Sequence, residues 1–203
     1  KDSIKVRKKT VLGLTGNIGS GKTTAAGMFR EMVLPVFDAD SAVHRIMRDN
    51  VRAKEYFDRR IKGSVVDGEI SRSVLSDKIR NKELDVRELE QMLWPFALEE
   101  LQKFFERHSY EPLLILDVPL LYESGWDSYC DKVIVMEAPE EILKQRVMSR
   151  PGMNEEKYAL LTTRQLSQQE KCKRADFRVD SSKGFDFVRA ELEKIRDELL
   201  CGK

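Results

Sequence analysis

Cysteine is scarce and poorly placed for a structural role. Cys130, Cys172 and Cys201 are odd in number, far apart, and form no C-x-x-C pair. A disulfide framework is not expected from them, and a reducing, cytoplasmic setting is. Histidine is scarcer still. His44 and His108 have no metal-ligand spacing to the cysteines, which argues against a zinc module. No stretch approaches the roughly 18 consecutive apolar residues that a membrane helix needs. Charge of one sign is missing as well: 36 Lys plus Arg against 35 Asp plus Glu leave a net +1. That balance gives no electrostatic footprint for nucleic acid or an anionic membrane, so neither partner is expected. The basic N-terminal segment, residues 1–9, lacks the apolar run of a signal peptide and reads as a short arm.

What is present suits one sizeable core. With 203 residues, the chain can carry such a core and a small inserted subdomain. Thr10–Thr15 is a β-rich apolar run that reads as a buried strand, and a helix is expected from Lys22 to Met32. Val36-Phe37 starts a second short strand closed by Asp38-Ala39-Asp40. From Ser41 to His108 the apolar residues repeat at helical spacing, with turns at Gly63 and Gly68 and no convincing strand. Leu113–Leu116 and Lys132–Met136 are further strands. A helix follows over 140–149, then a polar helical stretch over 155–174, a strand at Phe177–Val179 and an amphipathic helix over 185–200. Continuous apolar strands alternating with helices predict an α/β fold with a parallel sheet covered on both faces.

Gly16-Asn17-Ile18-Gly19-Ser20-Gly21-Lys22-Thr23 satisfies G-x-x-x-x-G-K-[ST] between a strand and a helix. Glycines let the backbone wrap an anion, and several N–H groups then face one phosphate at the positive end of the helix. In this arrangement Lys22 reaches the β- and γ-phosphates and the Thr23 hydroxyl ligates Mg²⁺. ATP with Mg²⁺ is therefore the expected nucleotide, held by residues 16–23 and Thr24. No guanine-reading Asn-Lys-x-Asp occurs, since Asn81-Lys82-Glu83-Leu84 lacks the acid. No glycine-rich transporter signature occurs either. Asp40, beyond the second strand, has two readings: a base that accepts a hydroxyl proton near the γ-phosphate, or a helix N-cap before Ser41.

Three segments together resemble the dephospho-coenzyme A kinases: the phosphate loop through Thr24, Val36–Asp40, and Asp117-Val118-Pro119-Leu120-Leu121-Tyr122-Glu123. Gln165, Lys171 and Ala175-Asp176 fall at the spacing of that family's closing motif. The resemblance runs from about Val11 to Ser182. It implies transfer of the ATP γ-phosphoryl to the ribose 3′-hydroxyl of dephospho-CoA. It also implies a three-layer P-loop kinase fold with a five-stranded parallel sheet, an inserted helical domain and a helical lid. The core is then expected at 10–40, 111–149 and 175–203, the CoA-binding subdomain at 41–110 and the lid at 150–174. On the same footing, Asp40 matches the base, Lys22 the phosphate-loop lysine, and Arg146 an arginine that stabilises the moving phosphoryl group. Asp117 stands where a carboxylate holds Mg²⁺ through water. A monomer is expected. Two features depart from the pattern: Trp94-Pro95 replaces a His-Pro pair, and Ser181 stands where an Asn is usual. The rival readings are another small P-loop kinase and a nucleotide sensor without transfer chemistry.

Overall fold

The computed structural model describes residues 9–201, so the basic arm lies outside it apart from Lys9. In chain order the elements are β1 (Thr10–Gly16), α1 (Lys22–Glu31), β2 (Val36–Asp38), α2 (Ala39–Asp49), α3 (Val51–Arg60), β3 (Val65–Val66), β4 (Glu69–Ile70), α4 (Arg72–Arg80) and α5 (Val86–Arg107). The chain continues through β5 (Leu113–Asp117), β6 (Lys132–Glu137), α6 (Glu140–Met148), α7 (Glu155–Thr163), α8 (Gln168–Arg174), β7 (Phe177–Asp180) and α9 (Phe185–Cys201). Two compact units result. Among the described residues, one comprises 9–37 and 108–201; the other is Asp38–Arg107.

The first unit is built on a five-stranded parallel sheet in the order β2-β5-β1-β6-β7. β1 is central. It pairs in parallel with β5 through Val11↔Leu114 and with β6 through Leu14↔Ile134. The all-apolar strands are explained by cover on both faces. Leu12, Leu14, Ile115 and Ile134 pack in one cluster with Ala25 and Phe29 of α1 and Leu192 and Ile195 of α9. Gly13 points to the opposite face. A Cβ there would lie 2.8 Å from both Cys130 Sγ and Leu121 Cδ2, so that face is closely covered too.

Helix starts follow local chemistry. α2, α3, α4, α7 and α8 each begin with a side chain accepting a backbone N–H: Asp38, Asn50, Ser71, Asn154 and Ser167. The cap of α2 is thus Asp38, whose Oδ1 accepts from Ser41 N at 3.1 Å. Asp40 is not the cap; it is exposed in the first turn of α2. The chain turns from strand to helix two residues earlier than a cap at Asp40 would place it.

Two further differences have clear causes. The second unit contains strands after all: β3 and β4 form an antiparallel hairpin with Val65↔Ile70 and Val66↔Glu69 in register. Its turn is Asp67-Gly68, with φ of 51° and 79°, the left-handed pair that a two-residue hairpin requires. The polar helical stretch over 155–174 is also broken. α7 ends at Thr163, and α8 restarts after Ser167, whose Oγ accepts from Glu170 N at 3.1 Å. Ser167-x-x-Glu170 is an N-terminal capping pattern inside what reads as one helix.

Candidate active site

The loop from Gly16 to Thr23 is shaped by contacts that exclude side chains. A Cβ on Gly16 would stand 2.3 Å from Ser20 Oγ and 2.7 Å from the Met136 carbonyl oxygen. Gly19 and Gly21 have φ of 84° and 87°, which favour glycine, and a Cβ on Gly19 would meet the Leu143 carbonyl at 2.8 Å. Gly21 precedes α1 without any side-chain cap. Unlike the five side-chain-capped helices, α1 therefore keeps its first N–H groups for an outside acceptor, at the end where the helix dipole favours an anion. Thr23 and Thr24 are exposed on its first turn.

Lys22 and Asp117 form an ion pair. Asp117 is nearly buried, at the carboxyl end of β5, and Lys22 lies within hydrogen-bond reach of its Oδ1. The lysine is thus held at the mouth of the loop by the carboxylate that the sequence reading assigned to the metal. Arg146, on α6, spans two segments. Its Nη1 donates to the Gly19 carbonyl at 3.0 Å and to Ser181 Oγ at 2.7 Å, and its Nη2 donates to the Ser181 carbonyl at 3.3 Å. Ser181 Oγ in turn donates to the Glu137 carbonyl at 3.2 Å. Lys22, Thr23, Asp117 and Arg146 therefore belong to one neighbourhood around the loop, and Ser181 ties Arg146 to the end of β7.

The break between α7 and α8 is stitched to the same loop. Asn17 Nδ2 donates to the Leu166 carbonyl at 3.2 Å, and Ile18 N donates to Gln165 Oε1 at 3.4 Å. Leu166 N donates to Glu123 Oε2 at 3.2 Å. The same carboxylate oxygen lies 3.1 Å from Lys171 Nζ, and Lys171 is fully buried. Burial pushes the Lys171 ammonium below its ordinary pKa; Glu123 opposes that shift and nearby Lys22 adds to it. The sequence pattern names Gln165, Lys171 and Glu123 without a role. Their roles were not legible because they depend on contacts more than 40 residues apart in the chain.

Asp40 belongs to the second unit and lines a cavity within it of about 520 Å³. Met47, Leu75, Leu89 and Leu93 supply apolar wall, and Arg72 lines the same cavity. α2, α4 and α5 each contribute to the lining, so no single segment announces it. Arg72 escaped the sequence reading for that reason. Trp94 is half-buried on α5 and is not among the lining residues, whereas its neighbour Leu93 is. No cluster of three or more His, Cys, Asp or Glu side chains suited to a metal occurs among the described residues. Nor is any helix among them long and apolar enough to cross a membrane.

Comparison with known proteins adds a family. The model of a family described as dephospho-CoA kinase (CoaE) matches residues 10–186. A dephospho-CoA kinase of Mesorhizobium japonicum is 41% identical over 191 residues, spanning 93% of this chain and 96% of the relative. One from Brucella melitensis is 40% identical over 187 residues, 91% of this chain and 92% of the relative. Among solved structures, a Thermus thermophilus protein superposes with a TM-score of 0.78 at 30% identity, covering 96% of this chain and 97% of that one.

Proposed function

The chain belongs to the dephospho-CoA kinase family, and from that premise we propose that it transfers the γ-phosphoryl group of ATP to the ribose 3′-hydroxyl of dephospho-CoA. The observation that carries the reading is Asp40, an exposed carboxylate lining a largely apolar cavity of ligand size in the helical unit. In this reading Asp40 accepts the proton of the 3′-hydroxyl as that oxygen bonds to the γ-phosphorus. The bond from the γ-phosphorus to the β,γ-bridging oxygen breaks, and ADP leaves. Proton acceptance by a placed carboxylate contributes about 10²–10⁴-fold.

The remaining roles follow from charge. ATP is held by residues 16–24, with the uncapped start of α1 facing its phosphates. Lys22 and Arg146 neutralise charge that builds on the transferring group; an arginine in that role contributes on the order of 10³-fold or more. The bonds from Arg146 to Gly19 and Ser181 support its place beside the loop. Mg²⁺ suits the hard oxygens of Thr23 and Asp117, the latter through water. With no cluster of protein ligands in the described residues, the ion must take most of its ligands from phosphate and water, as Mg²⁺ characteristically does. Its contribution when bound is to offset phosphate charge.

Asp38–Arg107 is the proposed acceptor unit. The proposed lid is residues 150–164 rather than the whole of 150–174. α7 has no buried residue, whereas α8 buries Lys171 and Cys172. A cytoplasmic setting accords with three unpaired thiols, and the proposed working form is a monomer. An acceptor panel tests the reading: dephospho-CoA, adenosine, shikimate and gluconate with Mg·ATP, products identified by phosphorus NMR. The expected product is CoA, formed at least 100-fold faster than any phosphorylated hydroxy acid. A hydroxy acid as the preferred acceptor would overturn it.

A further inference from the structure

The cavity of the helical unit is lined by a cation with no ion-pair partner among the described residues. Arg72 is exposed, lines the cavity, and makes no ion pair among the described residues. Five other arginines of the same unit, Arg45, Arg48, Arg52, Arg60 and Arg80, each face a carboxylate. Arg72 does not, and it is the arginine that lines the ligand-sized cavity.

Its position within α4 is also against the electrostatic grain. Arg72 is the first residue of α4, and the first turn of that helix contains no acidic residue. A cation at the positive end of a helix dipole is unfavourable. Ser71 Oγ satisfies one backbone donor there, accepting from Val74 N at 3.3 Å, but supplies no negative charge. An anion seated against Arg72 would reverse the repulsion and engage the planar fork that recognises phosphate oxygens in pairs.

We propose that Arg72 binds the diphosphate of the acceptor and so orients its ribose toward Asp40. The inference rests on the reading of this cavity as the acceptor site. In dephospho-CoA the 5′-diphosphate and the reacting 3′-hydroxyl are carried by the same ribose. A site with a carboxylate for the hydroxyl proton and a guanidinium for the diphosphate, in one cavity with Leu75, Leu89 and Leu93 for apolar contact, matches that pairing of groups. Arg72 acts as a binding and specificity residue; it takes no part in proton transfer.

The test separates diphosphate recognition from general damage. Steady-state kinetics of wild type, Arg72→Ala and Arg72→Lys are measured with dephospho-CoA, and adenosine is tested as a competitor of it. Adenosine has the 3′-hydroxyl and lacks the diphosphate. Arg72→Ala is expected to raise the KM for dephospho-CoA about 10- to 100-fold, the range for loss of a charge-assisted contact. The KM for ATP, the inhibition constant of adenosine and the melting temperature should stay unchanged, and Arg72→Lys should fall between. An unchanged KM for dephospho-CoA in Arg72→Ala would overturn the assignment. So would equal weakening of adenosine, which would make Arg72 a structural residue. If wild type makes no CoA at all, the reading of the reaction fails and the assignment of Arg72 falls with it; if wild type makes CoA and Arg72→Ala matches it, only Arg72 is wrong.

Discussion

Replacing Lys171 by Met should unfold the protein far more readily than the loss of one surface lysine would. Lys171 is fully buried, Glu123 has 13% of its side chain exposed, and Nζ lies 3.1 Å from Oε2. At that distance the gross attraction is roughly 5 kcal/mol at an effective dielectric constant near 20. Removing both charges from water costs several kcal/mol per ion, so the intact pair is close to neutral in net terms. Glu123 Oε1 is buried with no hydrogen-bond partner, which gives the pair no surplus. Breaking it is another matter. A lone buried charge remains, and the expected loss is about 3–5 kcal/mol for Lys171→Met or Glu123→Gln. For a chain of this length that is a fall in Tm of roughly 6–20 °C. The double variant should lose much less than the sum of the two.

The two single variants should also differ in their response to pH. In Glu123→Gln the carboxylate that supports the ammonium is gone, so the folded pKa of Lys171 drops further below its ordinary 10.5. Between that depressed value and 10.5 the unfolded chain binds more protons than the folded one, and stability rises with pH. Lys171→Met has no such group and lacks the rise. Urea unfolding followed by circular dichroism from pH 6 to 9 reads both effects. A loss below about 1 kcal/mol in Lys171→Met, or strict additivity in the double variant, would mean that Lys171 and Glu123 are not a coupled buried pair.

Gly16→Ala should weaken ATP binding about 10- to 100-fold, because its Cβ would press on the Met136 carbonyl of β6, which cannot rotate away. Gly27→Ala in α1 is the control: nothing lies within 4 Å of the added carbon, so it should leave ATP binding intact and stabilise the helix by up to about 1 kcal/mol; isothermal titration and thermal melts check both. The Glu137 carboxyl is pushed up by burial, but donors from Arg178 and Cys172 outweigh that and hold it below its usual 4.5. Its contribution is present above the ordinary value and is lost as pH falls through the lower folded one, so Glu137→Gln should show a shallower loss of stability on acidification. An acid titration as steep as wild type would count against it.

Much of this was legible because the signals were local. β1, β5 and β6 announce themselves as continuous apolar runs, and the phosphate loop as a glycine pattern between a strand and a helix. The β3–β4 hairpin was missed although Asp67-Gly68 is a turn signal, because strands of two residues have no periodicity to detect. The break before α8 was missed because the polar residues of 155–174 suit a helix throughout, and only the capping by Ser167 divides it. Arg72 could not be singled out at all. A lone arginine between two serines acquires meaning only when α2, α4 and α5 converge on one cavity. The pairing of Arg146 with Ser181 is equally non-local, across 35 residues.

If Asp40 takes the proton of a dephospho-CoA hydroxyl, coupled measurement of ADP release will show it. Wild type and Asp40→Asn are compared with Mg·ATP, with and without dephospho-CoA, alongside ATP titrations of both. The expected result is ADP release that depends on dephospho-CoA in wild type, a fall of about 10²–10⁴-fold in kcat for Asp40→Asn, and unchanged ATP affinity. Acceptor-dependent release that survives in Asp40→Asn at the wild-type rate would contradict it.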